Sequence, residues 1–376
     1  MRQRTAFGQH TLAGEFFTSD EIWREEQERI FRRRWLYAGH VSQLPKAGSY
    51  FLHEVGGESV VLLRGEDGAI RAHHNVCRHR GSRLCLEAQG ELGRAIQCPY
   101  HAWTYELDGA LRAAPNMHDV EGFARGDHGL QPCAVGQYEG LLFVSLASDP
   151  QPFDEALAPL RGRFERWRIG ELASAHQTVY EVAANWKLFF HNYSECYHCP
   201  GVHPHLNKLT PYKNTTNDLV DGAVLGGPMW MTHPDGSMTM GGERCAALLP
   251  GLGEPDRGHV LYYTLFPSMF LSLHPDYVLV HRAVPLSRQS TRIVCDWYFH
   301  PEAIAQPGFD AQPAIDFWDL TNRQDWELCA NTHKGVTSAA YVPGPYSDLE
   351  SQLAAFDREY LRSMGRADRS SLAAVR

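Results

Sequence analysis

The sequence lacks any run of about eighteen consecutive apolar residues, the length that a membrane-spanning helix needs. Residues 1–17 also lack the continuous apolar core of a secretory signal peptide. Basic residues are in the minority, because 35 Lys and Arg stand against 44 Asp and Glu, which gives a formal net charge of −9. We therefore expect no nucleic-acid partner and no membrane partner.

The nine cysteines do not form the even, regularly spaced framework of a disulfide-rich secreted protein. They are unevenly spaced and mixed with histidines, which favours a reducing, cytoplasmic compartment in which cysteines serve as ligands or core residues rather than as disulfides. The 376 residues are 43% hydrophobic and 21% charged, as in ordinary globular proteins. This length is enough for two domains or one large one.

One stretch, residues 185–204, has the signals of a capped helix followed by a break: NWKLFFHNYSECYHCPGVHP. Asn185 can cap a helix that begins at Trp186, because its side-chain oxygen can accept from the first free backbone N–H groups. Pro200 has no backbone N–H to donate, so we expect the helix to end or kink near His198.

This stretch carries four candidate site residues: Asn192, Glu195, His198 and His203. The spacing of three residues predicts Asn192, Glu195 and His198 on one helical face, and the break allows His203 to turn back towards the same point. Two imidazoles and one carboxylate with open coordination positions suit non-haem Fe(II). The alternative is a pair of hydrogen-bonded histidines in a core helix.

The first half of the chain reads as one helix followed by short strands. Residues 19–36 predict an amphipathic helix that Ser19 or Asp20 can cap. Turn signals at Gly56-Gly57 and Asp108-Gly109 then separate strand-like segments, which indicates a small β-domain. The predicted strands are 50–55, 59–64, 69–76, the hairpin 103–113, and 140–146.

Two hairpin tips of this β-domain each combine a cysteine with a histidine. The first tip carries Cys77 and His79, and the second carries Cys98 and His101. Thiolates and imidazoles suit zinc or an iron–sulfur cluster. Cys₂His₂ zinc fingers group Cys with Cys and His with His, whereas a Rieske centre places two Cys on one iron and two His on the other. The mixed loops therefore favour a Rieske centre over a zinc site.

The second half predicts an antiparallel sheet with the helix of 185–204 packed on it. Its expected strands are 176–182, 258–266, 269–273, 277–285 and 291–300, and helical signals return at 313–334 and 347–364. Residues 205–260 are rich in Gly, Pro and Met and show little periodicity. Such a long irregular stretch is usually functional or mobile.

These motifs resemble the non-haem iron ring-hydroxylating oxygenase family, α-subunit type. CRHRG with CPYHAW resembles that family's Rieske domain, and NxxECYHxxxxHP resembles its iron-binding segment. The resemblance implies a [2Fe–2S] cluster with Cys77 and Cys98 on one iron and His79 and His101 on the other. It also implies an α+β fold, in which an all-β Rieske domain precedes a helix-grip catalytic domain with an antiparallel sheet and mononuclear iron helices.

On this resemblance the chain divides into three parts. Residues 1–36 form an N-terminal helix that packs on the catalytic domain, residues 37–150 form the Rieske domain, and residues 151–376 form the catalytic domain. The third iron ligand must be a carboxylate, for which Asp316, Asp319 and Asp325 are candidates. The segment NRQDWELCANTHKG resembles the family's pattern around this ligand and places Asp325 beside the two histidines of the iron site.

Glu195, followed by CYHCP, resembles the branch that acts on quaternary ammonium compounds: glycine betaine, choline, carnitine and stachydrine monooxygenases. Many family members carry Asp at this position, where the acid bridges a cluster histidine of the neighbouring subunit to an iron histidine in a head-to-tail trimer. The resemblance thus implies a role in electron passage for Glu195, with Asn192 beside it. His191, Ala330 and His333 depart from the family's usual residues.

The implied activity is a monooxygenase reaction that demethylates a betaine with O₂ and releases formaldehyde. Electrons would come from NAD(P)H through a separate flavin/iron–sulfur reductase, and the oxygenase would be a homotrimer. An oxygenase for an aromatic ring or aromatic acid, and an electron carrier without oxygenase activity, are the alternatives. Aromatic faces bind quaternary ammonium groups, and we expect two or three of these residues to reach the ligand: Trp230, Tyr262, Tyr263, Phe266, Phe270, Tyr277 and Trp297.

Overall fold

The computed structural model describes residues 9–366, which fall into two compact units. The small unit is Phe31–Ala156, and the large unit combines the described residues up to Ile30 with those from Leu157 onward. The outermost parts of the predicted N-terminal and C-terminal segments, residues 1–8 and 367–376, lie outside the described residues. Between residues 9 and 366, no helix has the length and apolar character to cross a membrane.

The N-terminal helix is shorter than the sequence predicts. It consists of α1 (Glu15–Thr18), α2 (Asp20–Glu26) and a π-helical turn (Gln27–Phe31). Ser19 caps α2 as expected, because its hydroxyl accepts from the Ile22 N–H at 3.3 Å. The prediction of a helix to residue 36 is wrong, since Leu36 already pairs with Val144 in a sheet.

Glu26, at the end of α2, is a buried charge with three hydrogen-bond donors in the large unit. One carboxylate oxygen accepts from the Lys187 ammonium at 2.6 Å and from the Tyr360 hydroxyl at 2.7 Å. The other oxygen accepts from the Trp186 indole at 2.8 Å. Both Glu26 and Lys187 are almost inaccessible to solvent. Such a pair is tolerated only when both charges are matched and hydrogen-bonded.

We expect Glu26→Gln to lower the free energy of unfolding by about 3–5 kcal/mol, because it leaves the Lys187 charge buried without a counter-ion. The neighbouring Glu25→Gln is the matched control. Glu25 is partly exposed and pairs with Arg366 at the surface, so its loss should cost at most about 1 kcal/mol. Urea denaturation of both variants measures the difference, and equal midpoints would contradict the stabilising role of Glu26.

Ten strands, one short α-helix and two 3₁₀ turns (Val41–Gln43 and Arg125–His128) build the small unit. All strand pairs are antiparallel, in a seven-stranded sheet of order β1-β10-β9-β4-β3-β2-β5 and a three-stranded sheet of order β6-β7-β8. The elements are β1 (Leu36–His40), β2 (Ser49–Val55), β3 (Glu58–Arg64), β4 (Ile70–His74), β5 (Gln89–Glu91), β6 (Ala95–Gln97), β7 (Thr104–Glu106), β8 (Leu111–Ala113), β9 (Pro132–Tyr138), β10 (Leu141–Ser145) and α3 (Phe153–Ala156).

The predicted hairpins of the small unit are confirmed. The β2–β3 turn is Gly56-Gly57, and both glycines have positive φ, as a tight hairpin turn requires. The β7–β8 turn lies at Asp108-Gly109, where Gly109 also has positive φ. The sequence pattern missed β1, β5, β6 and β9, because these strands are short or lie in segments without clear alternation.

The large unit contains one antiparallel sheet of order β11-β16-β15-β14-β13-β12, which confirms the predicted antiparallel sheet. Its strands are β11 (Ala173–Val182), β12 (Val224–Trp230), β13 (His259–Leu265), β14 (Met269–Leu273), β15 (Val278–Ser287) and β16 (Ser290–Phe299). β12 lies within the stretch predicted to be irregular, because Gly226, Gly227 and Pro228 hide its alternation. A Cβ on Gly227 would lie 2.1 Å from the Thr216 carbonyl oxygen, so a neighbouring loop needs this glycine.

Besides α1 and α2, the described part of the large unit contains the helices α4 (Trp186–Tyr193), α5 (Cys199–Val202), α6 (Pro204–Leu209), α7 (Pro301–Ile304), α8 (Gln312–Val336) and α9 (Ser351–Ser363). Short 3₁₀ turns lie at Ala158–Leu160, Glu165–Trp167, Ile169–Glu171, Glu254–Asp256 and Asp348–Glu350.

Helix α4 is held between the sheet and two other helices. Phe190 packs edge-on against Phe270 of β14 at 4.6 Å and stacks on Phe356 of α9 at 4.9 Å. Phe189 packs against Trp326 of α8 at 5.1 Å. These ring contacts hold α4 in place, so its C-terminal end lies close to both α8 and the sheet.

Candidate metal centres

Helix α4 ends at Tyr193, so the prediction of a helix that continues to His198 is wrong. The Ser194 N–H closes the last turn on the Phe190 carbonyl. The Glu195 carboxylate then accepts from the backbone N–H groups of Tyr197 and His198, which caps a new turn in place of a continued helix. Asn192, Glu195 and His198 therefore do not share one continuous helical face. Pro200 lies in the first turn of α5 rather than at a helix end.

Cys196 and Cys199 form a disulfide with a Cα–Cα separation of 4.9 Å. The expectation that the cysteines avoid disulfides is therefore wrong for this pair, while the seven others are free thiols. The tight turn between α4 and α5 brings the two Cα atoms within the range that a disulfide spans. The bridge closes the turn that carries Tyr197 and His198.

His198, His203 and Asp325 each offer one ligand atom, and these three atoms lie within 4.8 Å of one another. The Asp325 Oδ1 atom is 2.8 Å from His203 Nε2 and 3.4 Å from His198 Nε2. The two imidazole rings stand nearly perpendicular, with centroids 5.2 Å apart. Asp325 comes from the middle of α8, and the histidines flank α5.

The other two carboxylates proposed as third ligands lie elsewhere on α8. Asp316 accepts from the Gln312 amide at 2.6 Å on the exposed side of the helix. Asp319 accepts from the Tyr180 hydroxyl at 2.6 Å and from Arg323 at 2.7 Å. Neither belongs to the group that His198 and His203 form with Asp325.

A second set of contacts orients the three side chains. Glu195 Oε1 accepts from His198 Nδ1 at 2.5 Å, and Gln324 Oε1 accepts from His203 Nδ1 at 2.7 Å. The Asn192 amide donates to Asp325 Oδ1 at 2.9 Å. Because the Nδ1 atoms are occupied, both Nε2 atoms are directed towards Asp325. Sequence reasoning missed Gln324, whose only signal is its place immediately before Asp325.

The three groups are strongly coupled electrostatically. Burial disfavours a charged His198, but hydrogen bonds to Asp325 and Glu195 outweigh it and raise the pKa of His198 to about 10. Burial would also raise the pKa of Asp325, yet the hydrogen bonds from His198 and His203 hold it below its usual value. A bound cation would replace the proton between these groups. Two imidazoles and one carboxylate facing a common point fit a two-His-one-carboxylate iron site.

The small unit brings the Cys–His loops together. Cys77 and His79 follow β4, and Cys98 and His101 lie between β6 and β7. The two histidine rings are 4.7 Å apart, and His79 stacks on Trp103 at 4.8 Å. His79 Nδ1 is buried without a hydrogen-bond partner within the described residues. An unpaired buried imidazole nitrogen beside a second histidine fits an iron ligand.

The thiols of this loop pair are near hydrogen-bond donors. Cys77 Sγ lies 3.2 Å from the Tyr105 hydroxyl. Burial raises the pKa of Cys77, whereas for Cys98 the backbone N–H groups of Tyr100 and His101 outweigh burial and lower the pKa. Donors aimed at sulfur stabilise a thiolate, the form that binds iron. The four residues therefore fit a Rieske cluster.

A cavity in the large unit opens onto His198, His203 and Asp325. The carboxylates of Glu195 and Asp325 lie in its wall, and no Lys or Arg is among its lining residues within the part of the chain that is described. Five aromatic residues also line it: Tyr193, Tyr197, Tyr212, Tyr262 and Trp318. The cavity is therefore aromatic and acidic.

Of the seven proposed aromatics, Tyr262 belongs to the cavity lining within the described residues, and the expectation that two or three reach the ligand stays a prediction. The neighbouring Tyr263 points to the opposite face of β13 and donates to Asp218 at 2.9 Å. Tyr277 and Trp297 are core residues, and Trp230 is 42% exposed. The remaining lining aromatics come from the end of α4, the following loops and α8, which strand periodicity does not identify.

The departures from the family pattern lie away from the cavity lining. His191 Nε2 lies 2.8 Å from Asp357 Oδ1, which ties α4 to α9. His333 is buried near the end of α8. Ala330 is on the same helix and is partly buried.

Two protein-family models and several known proteins are similar to this chain. The family model for the ring-hydroxylating α subunit (catalytic domain) matches residues 169–366, and that for the Rieske [2Fe–2S] domain matches residues 34–124. The chain is 36% identical to the glycine betaine monooxygenase oxygenase subunit of Chromohalobacter salexigens, over 92% of this chain and 83% of that protein.

Two examples illustrate the solved structures that share the fold. One is a quaternary ammonium Rieske monooxygenase, described as giving insights into carnitine oxidation and inter-subunit electron transfer, with a TM-score of 0.82, 25% identity, and coverage of 94% of this chain and 95% of that one. The other is naphthalene 1,2-dioxygenase from Rhodococcus sp., with a TM-score of 0.77, 19% identity, and coverage of 96% and 95%. The second similarity concerns the fold alone.

Proposed function

This chain belongs to the ring-hydroxylating α-subunit family of Rieske non-haem iron oxygenases, and we propose that it oxidatively demethylates a quaternary ammonium compound. It is an oxidoreductase with a Rieske [2Fe–2S] domain and an iron-dependent catalytic domain. The catalytic-domain match over residues 169–366 argues against an electron carrier without oxygenase activity.

We assign the ligands from the geometry of the two centres. Cys77, His79, Cys98 and His101 would hold the [2Fe–2S] cluster. His198, His203 and Asp325 would hold the mononuclear Fe(II). When bound, the cluster supplies electrons one at a time, and the mononuclear iron supplies the site at which O₂ is activated.

The observation that carries the substrate proposal is the cavity wall, which combines aromatic faces with carboxylates and lacks Lys and Arg among the described residues. A quaternary ammonium group has no hydrogen-bond donor or acceptor, so only aromatic faces and negative charge can bind it. The similarity to a glycine betaine monooxygenase oxygenase subunit supports the same substrate class.

Glu195 and Asn192 position the iron ligands in this proposal. Glu195 holds the His198 ring by its Nδ1–H group, and Asn192 holds one oxygen of Asp325. In the neutral imidazole, the contact with Glu195 keeps the proton of His198 on Nδ1, which leaves Nε2 free for the metal. We further propose that Glu195 receives a cluster histidine of a neighbouring subunit in a homotrimer. The relative's description as an oxygenase subunit supports a separate NAD(P)H-dependent flavin/iron–sulfur reductase as partner.

A single-turnover experiment tests the reaction without the partner reductase. The protein is reduced with dithionite, desalted, and mixed with O₂ and one of four compounds: glycine betaine, choline, carnitine or stachydrine. We expect formaldehyde and an amine one methyl group lighter from at least one of them, and neither product when O₂ is omitted. If all four stay intact while benzoate or naphthalene is hydroxylated, the substrate proposal is wrong and the aromatic alternative holds.

A further inference from the structure

The hydroxyl of Tyr262 is a buried polar group without a hydrogen-bond partner among the described residues. The residue lines the cavity that opens onto His198, His203 and Asp325. Buried hydroxyls in folded proteins are nearly always paired, because an unpaired one loses its bonds to water without replacement. An unpaired hydroxyl on a residue that lines a cavity is therefore a candidate to bind a ligand.

The register of the sheet places Tyr262 on the cavity face. It lies opposite Gly227 of β12 and Ser272 of β14. Thr264, two residues further along β13, shares this face and also lines the cavity. The space over Gly227 is occupied by the neighbouring loop, since a Cβ there would lie 2.1 Å from the Thr216 carbonyl oxygen.

Three neighbouring rings hold the Tyr262 side chain in place. The centroids of Tyr193, Trp318 and His274 lie 6.1 Å, 6.2 Å and 6.2 Å from that of Tyr262, each with its ring steeply inclined. Burial raises the pKa of Tyr262 well above its usual value, so the hydroxyl keeps its proton and remains a donor. The group is thus preorganised to donate to an acceptor in the cavity.

The charges that line the cavity determine which end of a zwitterionic substrate can lie beside the Tyr262 hydroxyl. Asp325 is committed to the proposed iron, so Glu195 is the carboxylate of the lining that disfavours an anionic group beside it. No Lys or Arg lines the described cavity, so a substrate carboxylate must be bound by neutral donors. Among the described residues, Ser194 carries the other unpaired buried hydroxyl of the lining, but it precedes Glu195 in the chain and lies next to that repelling charge.

We propose that Tyr262 donates a hydrogen bond to the carboxylate of the substrate, which makes the preferred substrates carboxylate-bearing betaines rather than choline. The inference rests on the proposed function and specifies the substrate class within it. The quaternary ammonium group then lies on the Glu195 side of the cavity, and the carboxylate faces the Tyr262 hydroxyl. This orientation presents the N-methyl groups to the proposed iron site.

Tyr262→Phe tests the assignment, because it removes the hydroxyl and keeps the ring. The probes are glycine betaine, carnitine and stachydrine, which carry a carboxylate, and choline, which does not. Calorimetric titration of the holoenzyme should show betaine binding weakened about 10- to 100-fold, as expected for loss of a hydrogen bond to a charged group. Choline binding should be unchanged. The melting temperature should not fall, since the lost hydroxyl has no hydrogen-bond partner between residues 9 and 366.

Tyr263→Phe is the matched control, because it makes the same change at the adjacent residue, whose hydroxyl faces Asp218 on the other side of the strand. It should leave the affinity for all four probes unchanged. Unaltered betaine affinity in Tyr262→Phe, or an equal loss for betaines and choline, would overturn the inference. If the wild-type protein binds none of the four probes, the proposed function itself fails. This outcome differs from failure of the Tyr262 inference, because it is seen in the wild-type protein and not in a variant.

Discussion

Asp325→Ala is expected to reduce single-turnover product formation to background while the visible spectrum of the Rieske cluster stays unchanged. Asp325 is the only carboxylate in the three-residue group that faces a common point within the described residues. Its loss also removes the partner of the Asn192 amide and of both histidine Nε2 atoms. The cluster residues lie in the other unit and are untouched. Product analysis and an absorption spectrum of the same sample measure the two effects.

Asp319→Ala is the matched control for this prediction. Asp319 lies on the same helix, but its carboxylate is taken up by Tyr180 and Arg323. We expect this variant to keep its mononuclear iron and its turnover. If Asp325→Ala stays active and Asp319→Ala is inactive, the third ligand has been assigned to the wrong residue.

Glu195→Gln is expected to lower metal affinity or turnover by about 10- to 100-fold, the usual effect of losing a group that orients a metal ligand. The Glu195 carboxylate accepts from His198 Nδ1 and from two backbone N–H groups. Glutamine has one acceptor oxygen, and its NH₂ group can only donate. If its oxygen serves the backbone, the amide faces Nδ1 of His198 and forces the tautomer with the proton on Nε2. That nitrogen can then no longer bind a metal.

The measurement is iron content after dialysis together with the rate at which O₂ and substrate oxidise the reduced cluster. Glu195→Asp is the control, since it keeps the charge and both acceptor oxygens, and we expect it to lie closer to the wild type. Wild-type iron retention and wild-type cluster oxidation in Glu195→Gln would mean that Glu195 only caps its turn and has no part in the site.

The sequence alone predicted the features that depend on local patterns. The Gly56-Gly57 hairpin and the antiparallel sheet followed from turn residues and alternation, which act over a few residues. Asp325 could be selected over Asp316 and Asp319 only through the resemblance to a known family, because all three acids lie on one helix.

Other features depend on tertiary contacts that no local pattern contains. The end of α4 at Tyr193 is instead a local effect, because the Glu195 side chain and the Cys196–Cys199 bridge organise the next turn, although the three-residue spacing of Asn192, Glu195 and His198 predicted a continued helix. Gln324 matters because the fold places it against His203. β12 was missed because Gly226 is required by the adjacent strand β13 and Gly227 by a neighbouring loop, so neither position shows the alternation that marks a strand.

The central claim is that one chain holds a Rieske cluster and a separate mononuclear iron, and analysis of iron and acid-labile sulfide tests it most directly. The wild-type protein should contain about three iron atoms for every two sulfides per chain when fully loaded. Asp325→Ala should lose about one iron and no sulfide. A wild-type protein that contains zinc without sulfide, or a ratio of about one iron per sulfide that Asp325→Ala leaves unchanged, would contradict the account.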